Sequence, residues 1–188
     1  MYKVCITEQS ARRQRELEKG LLSLMLTHAY EDITVSSLCQ DLGIPRKAFY
    51  RYFSGKDGAL FALIDHTMMG FTGNFYSDDP AVIKKTMEHY FAYWKEQAPL
   101  LHALRKSGMT GILVQRCITK ATEEELVSNK IFLGKDHSSQ LYVLHFLVSG
   151  LIGLVLHWHA NDFREPPRQI ARIAVELLTR SLITPSEP

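Results

Sequence analysis

The chain has 188 residues, 46% of them apolar and 22% charged, enough for one substantial core or for a small module joined to a larger one. No low-complexity tract or internal repeat interrupts it, and the start MYKVCITEQSARRQRE has no apolar run behind its positive charge, unlike a signal peptide. Cys5, Cys39 and Cys117 are widely spaced without a CxxC pair, which argues against a disulfide framework and for reduced thiols in a cytoplasmic protein. A formal net charge of +2 implies no partner by itself. Its distribution is more telling: residues 1–60 hold nine Lys or Arg against seven acids, and Gly43 to Lys56 hold four cations and no acid.

In chain order the pattern is helical. From about Ser10 to His28, Leu17, Leu21, Leu24, Met25 and Ala29 recur at three- and four-residue spacing, with Arg12, Arg13, Arg15, Glu16 and Lys19 on other faces. Thr34 is a good N-cap for a second helix that buries Val35, Leu38 and Leu42 and carries Cys39 on its apolar side. Gly43 ends that helix by supplying a left-handed residue, and Pro45 fits the entry of a third, short helix running through Tyr52. Another helix begins near Lys56 or Asp57 and carries Leu60, Leu63, Ile64 and Met68.

The polar stretch FTGNFYSDDP then breaks the pattern, and Asp78-Asp79-Pro80 reads as a cap followed by proline in a first turn. Longer helices are expected over 80–97, 109–130, 138–161 and 167–183, with a short one over 99–107 between Pro99 and Gly108. The longest apolar run, Leu141 to Trp158, approaches membrane-spanning length but is broken by His145, Ser149, Gly150 and Gly153, and reads as a buried helix. No stretch alternates with period two. The expectation is an all-α fold: a helix-turn-helix domain over 1–55, a linking helix over 56–71, and a larger helical body over 72–188.

Helix, glycine turn, helix is the plan in which a first helix crosses the DNA backbone and a second enters the major groove. Leu38, Leu42, Ile44, Ala48 and Phe49 supply the apolar meeting of the two helices, and Phe49 and Phe53, four apart, point to the core. Arg46, Lys47, Tyr50, Arg51 and Tyr52 are left to project outward. The segment ITVSSLCQDLGIPRKAFYRYFSGKDGAL resembles the DNA-binding segment of the TetR family of transcriptional regulators. Thr34 opening the second helix, Gly43, the run Phe49-Tyr50-Arg51-Tyr52-Phe53 and Lys56 stand at that family's pattern positions, and the likeness spans residues 10–65 or so. One departure is Pro45, where a serine-like cap is usual; it removes a cap hydrogen bond but not helix entry.

The resemblance implies that Thr34 and Lys56 contact phosphates, that the Tyr50 and Tyr52 hydroxyls meet backbone oxygens, and that Arg46, Lys47 and Arg51 reach base edges. Ser36 and Ser37 are further candidates, and Ala48 lets the helix approach the backbone or a thymine methyl. It also implies a homodimer through the last two long helices. For that role the spacing offers Leu144, Val148, Leu151, Ile152 and Val155, then Ile170, Ile173, Ala174 and Leu177. A pocket for a small apolar or aromatic effector is implied among the middle helices, with Tyr90, Trp94, Met109, Cys117, Tyr142, His145 and Phe146 as lining candidates; plain core is the competing reading for each.

No phosphate loop, GxSxG, HExxH or CxxC is present, so no enzyme and no cofactor are expected. His157 and His159 project about 200° apart on a helix and cannot chelate one ion, so no metal is expected either. The sequence thus predicts a dimeric DNA-binding regulator that recognises a palindromic double-stranded operator, most simply a repressor released by an effector. The alternatives are a TetR-like activator or coregulator acting through a protein partner, and an interaction bundle that has lost DNA binding.

Overall fold

The computed structural model describes residues 1–73, 79–123 and 137–179; every described element of regular structure is helical. Helix α1 (Glu8–Thr27) starts because the Thr7 side chain accepts the Ser10 amide at 3.2 Å, with Glu8 in the first turn against the helix dipole. It buries Leu17, Leu21 and Met25 at four-residue spacing. Its last turn contains no cation of its own; Lys106 donates to the Leu26 carbonyl at 3.0 Å and satisfies one of the orphan acceptors.

A 3₁₀ turn (Tyr30–Asp32) leads into α2 (Val35–Asp41). Thr34 and Ser37 close a reciprocal capping box there: each side chain accepts the other residue's amide at 3.0 Å. Gly43 takes φ 63°, the left-handed conformation needed to leave the helix. Gly20 on α1 lets Leu42 close in, since a Cβ there would lie 2.7 Å from Leu42 Cδ1. Helix α3 spans only Arg46–Phe49, shorter than the expected run through Tyr52. Pro45 caps it without a side-chain bond, as its chemistry dictates, and Tyr50 to Tyr52 continue as turn. Helix α4 (Lys56–Met69) follows.

The described residues fall into two compact units. The first joins residues 1–70 to 99–120, so that α1–α4 are completed by α6 (Ala98–Lys106) and most of α7 (Thr110–Glu123). Packing thus groups α6 and most of α7 with the N-terminal helices, across the linear division expected at residues 55 and 71. The expected continuation of the 109–130 helix past Glu123 lies outside the described residues, as does that of 167–183 past Thr179.

The second unit holds α5 (Pro80–Glu96), α8 (His137–Ala160) and α9 (Pro167–Thr179), and α5 against α9 is its main pairing. Asp79 accepts the Ala81 amide at 2.8 Å with Pro80 at the first helical position. Phe91 meets Trp158 edge to face at 6.0 Å, and Met87, Ile152, Val155, Ile170 and Ala174 are buried with them. Between α8 and α9, Asp162 and Phe163 both have positive φ (55° and 52°). That strained pair is held by the Phe163 amide on the Trp158 carbonyl (3.0 Å) and by the Trp158 indole on the Glu165 carbonyl (3.0 Å).

Candidate DNA-binding surface

Phe49 and Phe53 are buried with ring centroids 5.1 Å apart, and they fix the orientation of the short α3 and the turn behind it. With those two rings inside, Arg46, Lys47, Tyr50 and Arg51 are exposed, and Ala48 and Tyr52 are half-exposed. Arg46 lies over the Tyr50 ring at 5.9 Å. Ser36 projects into solvent from α2. Three cations and two phenols thus share the solvent side of a two-turn segment, a set suited to phosphate oxygens and guanine edges. The Thr34 and Ser37 hydroxyls, by contrast, already serve the α2 cap, where Ser37 also donates to the Thr34 carbonyl at 3.0 Å.

Lys56, expected at a phosphate, makes its contacts within the chain. Its ammonium donates to the carbonyls of Tyr30 (2.5 Å), Glu31 (3.2 Å) and Ile33 (2.8 Å) and lies 4.4 Å from the Tyr30 ring centre. An ammonium has three donors, and these three carbonyls match them. Lys56 clamps the turn that leads into Thr34, and the buried Tyr30 hydroxyl completes the clamp by donating to Asp57 at 2.6 Å.

The first unit also holds a buried charge cluster that sequence patterns did not single out. Asp65 on α4 is fully buried and takes a two-pronged contact from the Arg116 guanidinium, with Nε on Oδ1 at 2.8 Å. Tyr2 donates to its Oδ2 at 2.6 Å, and Lys120 stands 3.9 Å away. Next to Asp65 in sequence, His66 Nδ1 is 2.8 Å from the buried Glu18 carboxyl of α1, and Arg15 pairs with the same group at 3.4 Å. Burial pushes the Glu18 carboxyl up to about 8, with Arg15 opposing and Asp65 reinforcing. The available signal was an acid amid the apolar run LFALIDHTMM, and another next to Leu17 and one helical turn before Leu21. Burial also raises both Cys39 and Cys117, the latter to about 12, and leaves them as inert core thiols.

Residues 82–180 match the family TetR_C_8, a transcriptional regulator C-terminal region, over more than half of the chain. The chain belongs to the TetR family of transcriptional regulators. Solved structures share its fold. The fatty acid degradation regulator FadR from Bacillus halodurans superposes with a TM-score of 0.60 at 15% identity, over 90% of this chain and 99% of that one. A TetR-family transcriptional regulator from Streptomyces coelicolor gives 0.57 at 21% identity, covering 87% and 79%. The dihydroxyacetone kinase operon activator DhaS gives 0.54 at 14%, covering 88% and 93%. A search of curated proteins finds no match.

In this TetR-family chain the other candidate residues redistribute. Leu144, Ile152, Val155, Ile170 and Ala174, expected at a dimer contact, are buried within the chain, and Val148 and Leu151 are half-buried. Ile173 and Leu177 do face outward. Conversely Tyr142 (77% exposed), Phe146 (74%) and His145, expected in a pocket, stand on the outer face of α8. The reason is that α8 is apolar on every side, so spacing alone could not say which face turns inward. Nor is α8 the buried helix the sequence suggested: only 22% of its apolar window is buried. Tyr90, Trp94 and Cys117 are buried and Met109 is half-buried. Tyr90 belongs to a ring cluster with Phe71 (5.4 Å) and Trp94 (6.3 Å), and Phe71 also meets His89 (5.1 Å) and Tyr93 (5.7 Å). Trp158 is buried, His159 packs against Phe163 at 5.3 Å, and His157 is exposed.

Proposed function

We propose that this protein is a homodimeric repressor that binds a palindromic operator through α2 and α3 and is released by a small apolar or aromatic effector. The observation that carries the DNA-binding part is the exposed set Arg46, Lys47, Tyr50 and Arg51 on a segment whose other side is locked by buried Phe49 and Phe53. Arginine pairs with guanine O6 and N7, while the lysine and tyrosine serve the backbone. Ser36, Ala48 and Tyr52 complete the contact set.

Dimerisation is supported by the outward apolar stripe Tyr142, Phe146, Gly150 and Gly153 on α8 together with Ile173, Leu177 and Leu178 on α9. A patch of large apolar residues left in solvent marks an interaction surface, and the two glycines allow helices to approach closely. A four-residue recognition helix offers few contacts alone. Two of them about 34–36 Å apart would read successive major grooves. The ring cluster of Phe71, Tyr90, Tyr93 and Trp94 supports an effector with apolar or aromatic character.

Selection of bound sequences from a random duplex pool, with salt dependence recorded, tests the reading. A two-fold site with half-sites about one helical turn apart is the expected winner, and Lys47→Glu with Arg51→Glu should abolish its enrichment. No enriched site would sink the proposal. Transcription driven from the selected site then separates repressor from activator by its sign.

A further inference from the structure

Residues 1–3 run antiparallel to residues 52–54, which directly follow the recognition segment. Tyr2 pairs with Phe53 as a bridge, the Lys3 amide donates to the Tyr52 carbonyl at 2.9 Å, and the Ser54 amide donates to the Met1 carbonyl at 3.1 Å. The strap is fastened on both sides. The Lys3 carbonyl accepts from the buried Gln14 side chain of α1 at 2.9 Å, and the Tyr2 hydroxyl reaches Asp65 at 2.6 Å while its ring meets His66 edge-on at 5.5 Å. Gly58 makes room for it, because a Cβ there would lie 2.4 Å from the Met1 carbonyl oxygen.

Side chains alternate between faces along paired extended segments, and residues directly opposite share a face. Phe53 is buried and Tyr2 reaches inward to a buried carboxylate, so that face is the core. Lys3 and Tyr52 therefore share the other face, and Tyr52 directly follows the exposed Tyr50 and Arg51. Lys3 is exposed, and its ammonium has no hydrogen-bond or ion-pair partner among the described residues. Arg12 and Arg13 on α1 are instead paired with Glu16, and Lys56 is consumed by its carbonyls.

We propose that Lys3 is a further phosphate-contact residue of the DNA-binding surface, laid beside Tyr52 by the strap, and that Tyr2 is the positioning residue that anchors it. This rests on α2 and α3 being the DNA-binding face. A lysine held by paired backbone adds a point charge at the end of the recognition segment without adding sequence preference. Such a contact shows itself in the salt dependence, since each neutralised phosphate contributes a slope of about 0.9 in log K against log salt.

The test measures anisotropy of a selected operator duplex and of an unrelated duplex over a salt series, for the wild type, Lys3→Ala, Tyr2→Phe, the double variant and Arg51→Ala. Lys3→Ala is expected to reduce the slope by about 0.9 per chain, equally on both duplexes, with an unchanged melting temperature. Tyr2→Phe keeps the ring but loses the Asp65 bond; it should weaken binding in the wild type and add nothing once Lys3 is alanine. If Arg51→Ala loses operator preference while Lys3→Ala leaves the slope intact, the Lys3 contact is overturned and the DNA-binding face stands. If Arg51→Ala changes nothing, the face itself is wrong and this proposal goes with it. Additive losses from the two strap variants would overturn the anchoring role of Tyr2.

Discussion

The two units solve the problem of holding helices together in opposite ways. In the first, polar groups are drawn inside and matched: Asp65 with Arg116 and Tyr2, Glu18 with His66, Lys56 with three carbonyls. In the second, α8 and α9 rely on apolar side chains and leave Tyr142, Phe146, Ile173 and Leu177 in solvent. A matched buried ion has one acceptable geometry, whereas an apolar face accepts any well-packed partner. The first arrangement suits a surface whose side chains must register with DNA. The second leaves large apolar side chains on one outward stripe.

The strongest way to break this contrast is to remove one member of the buried cluster. Asp65→Ala leaves the largely buried Arg116 without its carboxylate and should destabilise the protein by about 3 kcal/mol, read by urea unfolding. Replacing both residues together with apolar ones of similar size should recover most of that loss. If Asp65→Ala is neutral, the cluster does not hold the first unit together. The matching experiment on the second unit is Phe146→Glu. A charge on the outward stripe should shift sedimentation to the monomer and cost operator affinity roughly a hundredfold through lost bivalency, with little change in the helical signal. A Phe146→Glu protein that stays dimeric would move the interface elsewhere.

Legibility follows the same divide. Thr34, Gly43, Phe49 and Phe53 were readable because each occupies a position only a few residue types can fill: a cap, a left-handed turn, two core anchors four apart. The all-helical class and the cap at Asp79-Pro80 were readable for the same reason. Which face of α8 turns inward was not readable because α8 is apolar all round, so Leu144 and Phe146 look alike in sequence although one is buried and the other exposed. The intrachain contacts of Lys56 were hidden for a different reason. Its position matches a family pattern, but the destination of its ammonium depends on how the chain folds back from α1, which no local spacing encodes. The pairing of Asp65 with Arg116, fifty-one residues apart, was equally out of reach.

Lys56→Met separates the two roles of that side chain. The apolar stem is kept and three charge-assisted hydrogen bonds are lost, so stability should fall by about 2 kcal/mol. In the folded range the salt slope of DNA binding should not change, because no phosphate contact has been removed. A slope reduced by about 0.9 per chain would instead return Lys56 to the DNA.

The smallest effect is the most diagnostic of how the first unit tolerates its buried acids. Glu18 is raised from 4.5 to about 8, mainly by burial, so the folded chain keeps a proton that the unfolded chain releases. Below pH about 4.5 both states hold it and the contribution is fully present. Between about 4.5 and about 8 only the folded state does, so the stabilisation declines as pH rises and is lost on passing the folded value. Glu18→Gln is neutral throughout and keeps a hydrogen-bonding group for His66 Nδ1. Melting temperatures recorded from pH 5 to pH 8 should therefore fall less steeply for the variant than for the wild type. Parallel curves would mean that Glu18 stays ionised in the fold, with Arg15 outweighing burial, and the cluster would then be an ion-pair network rather than one organised around a retained proton.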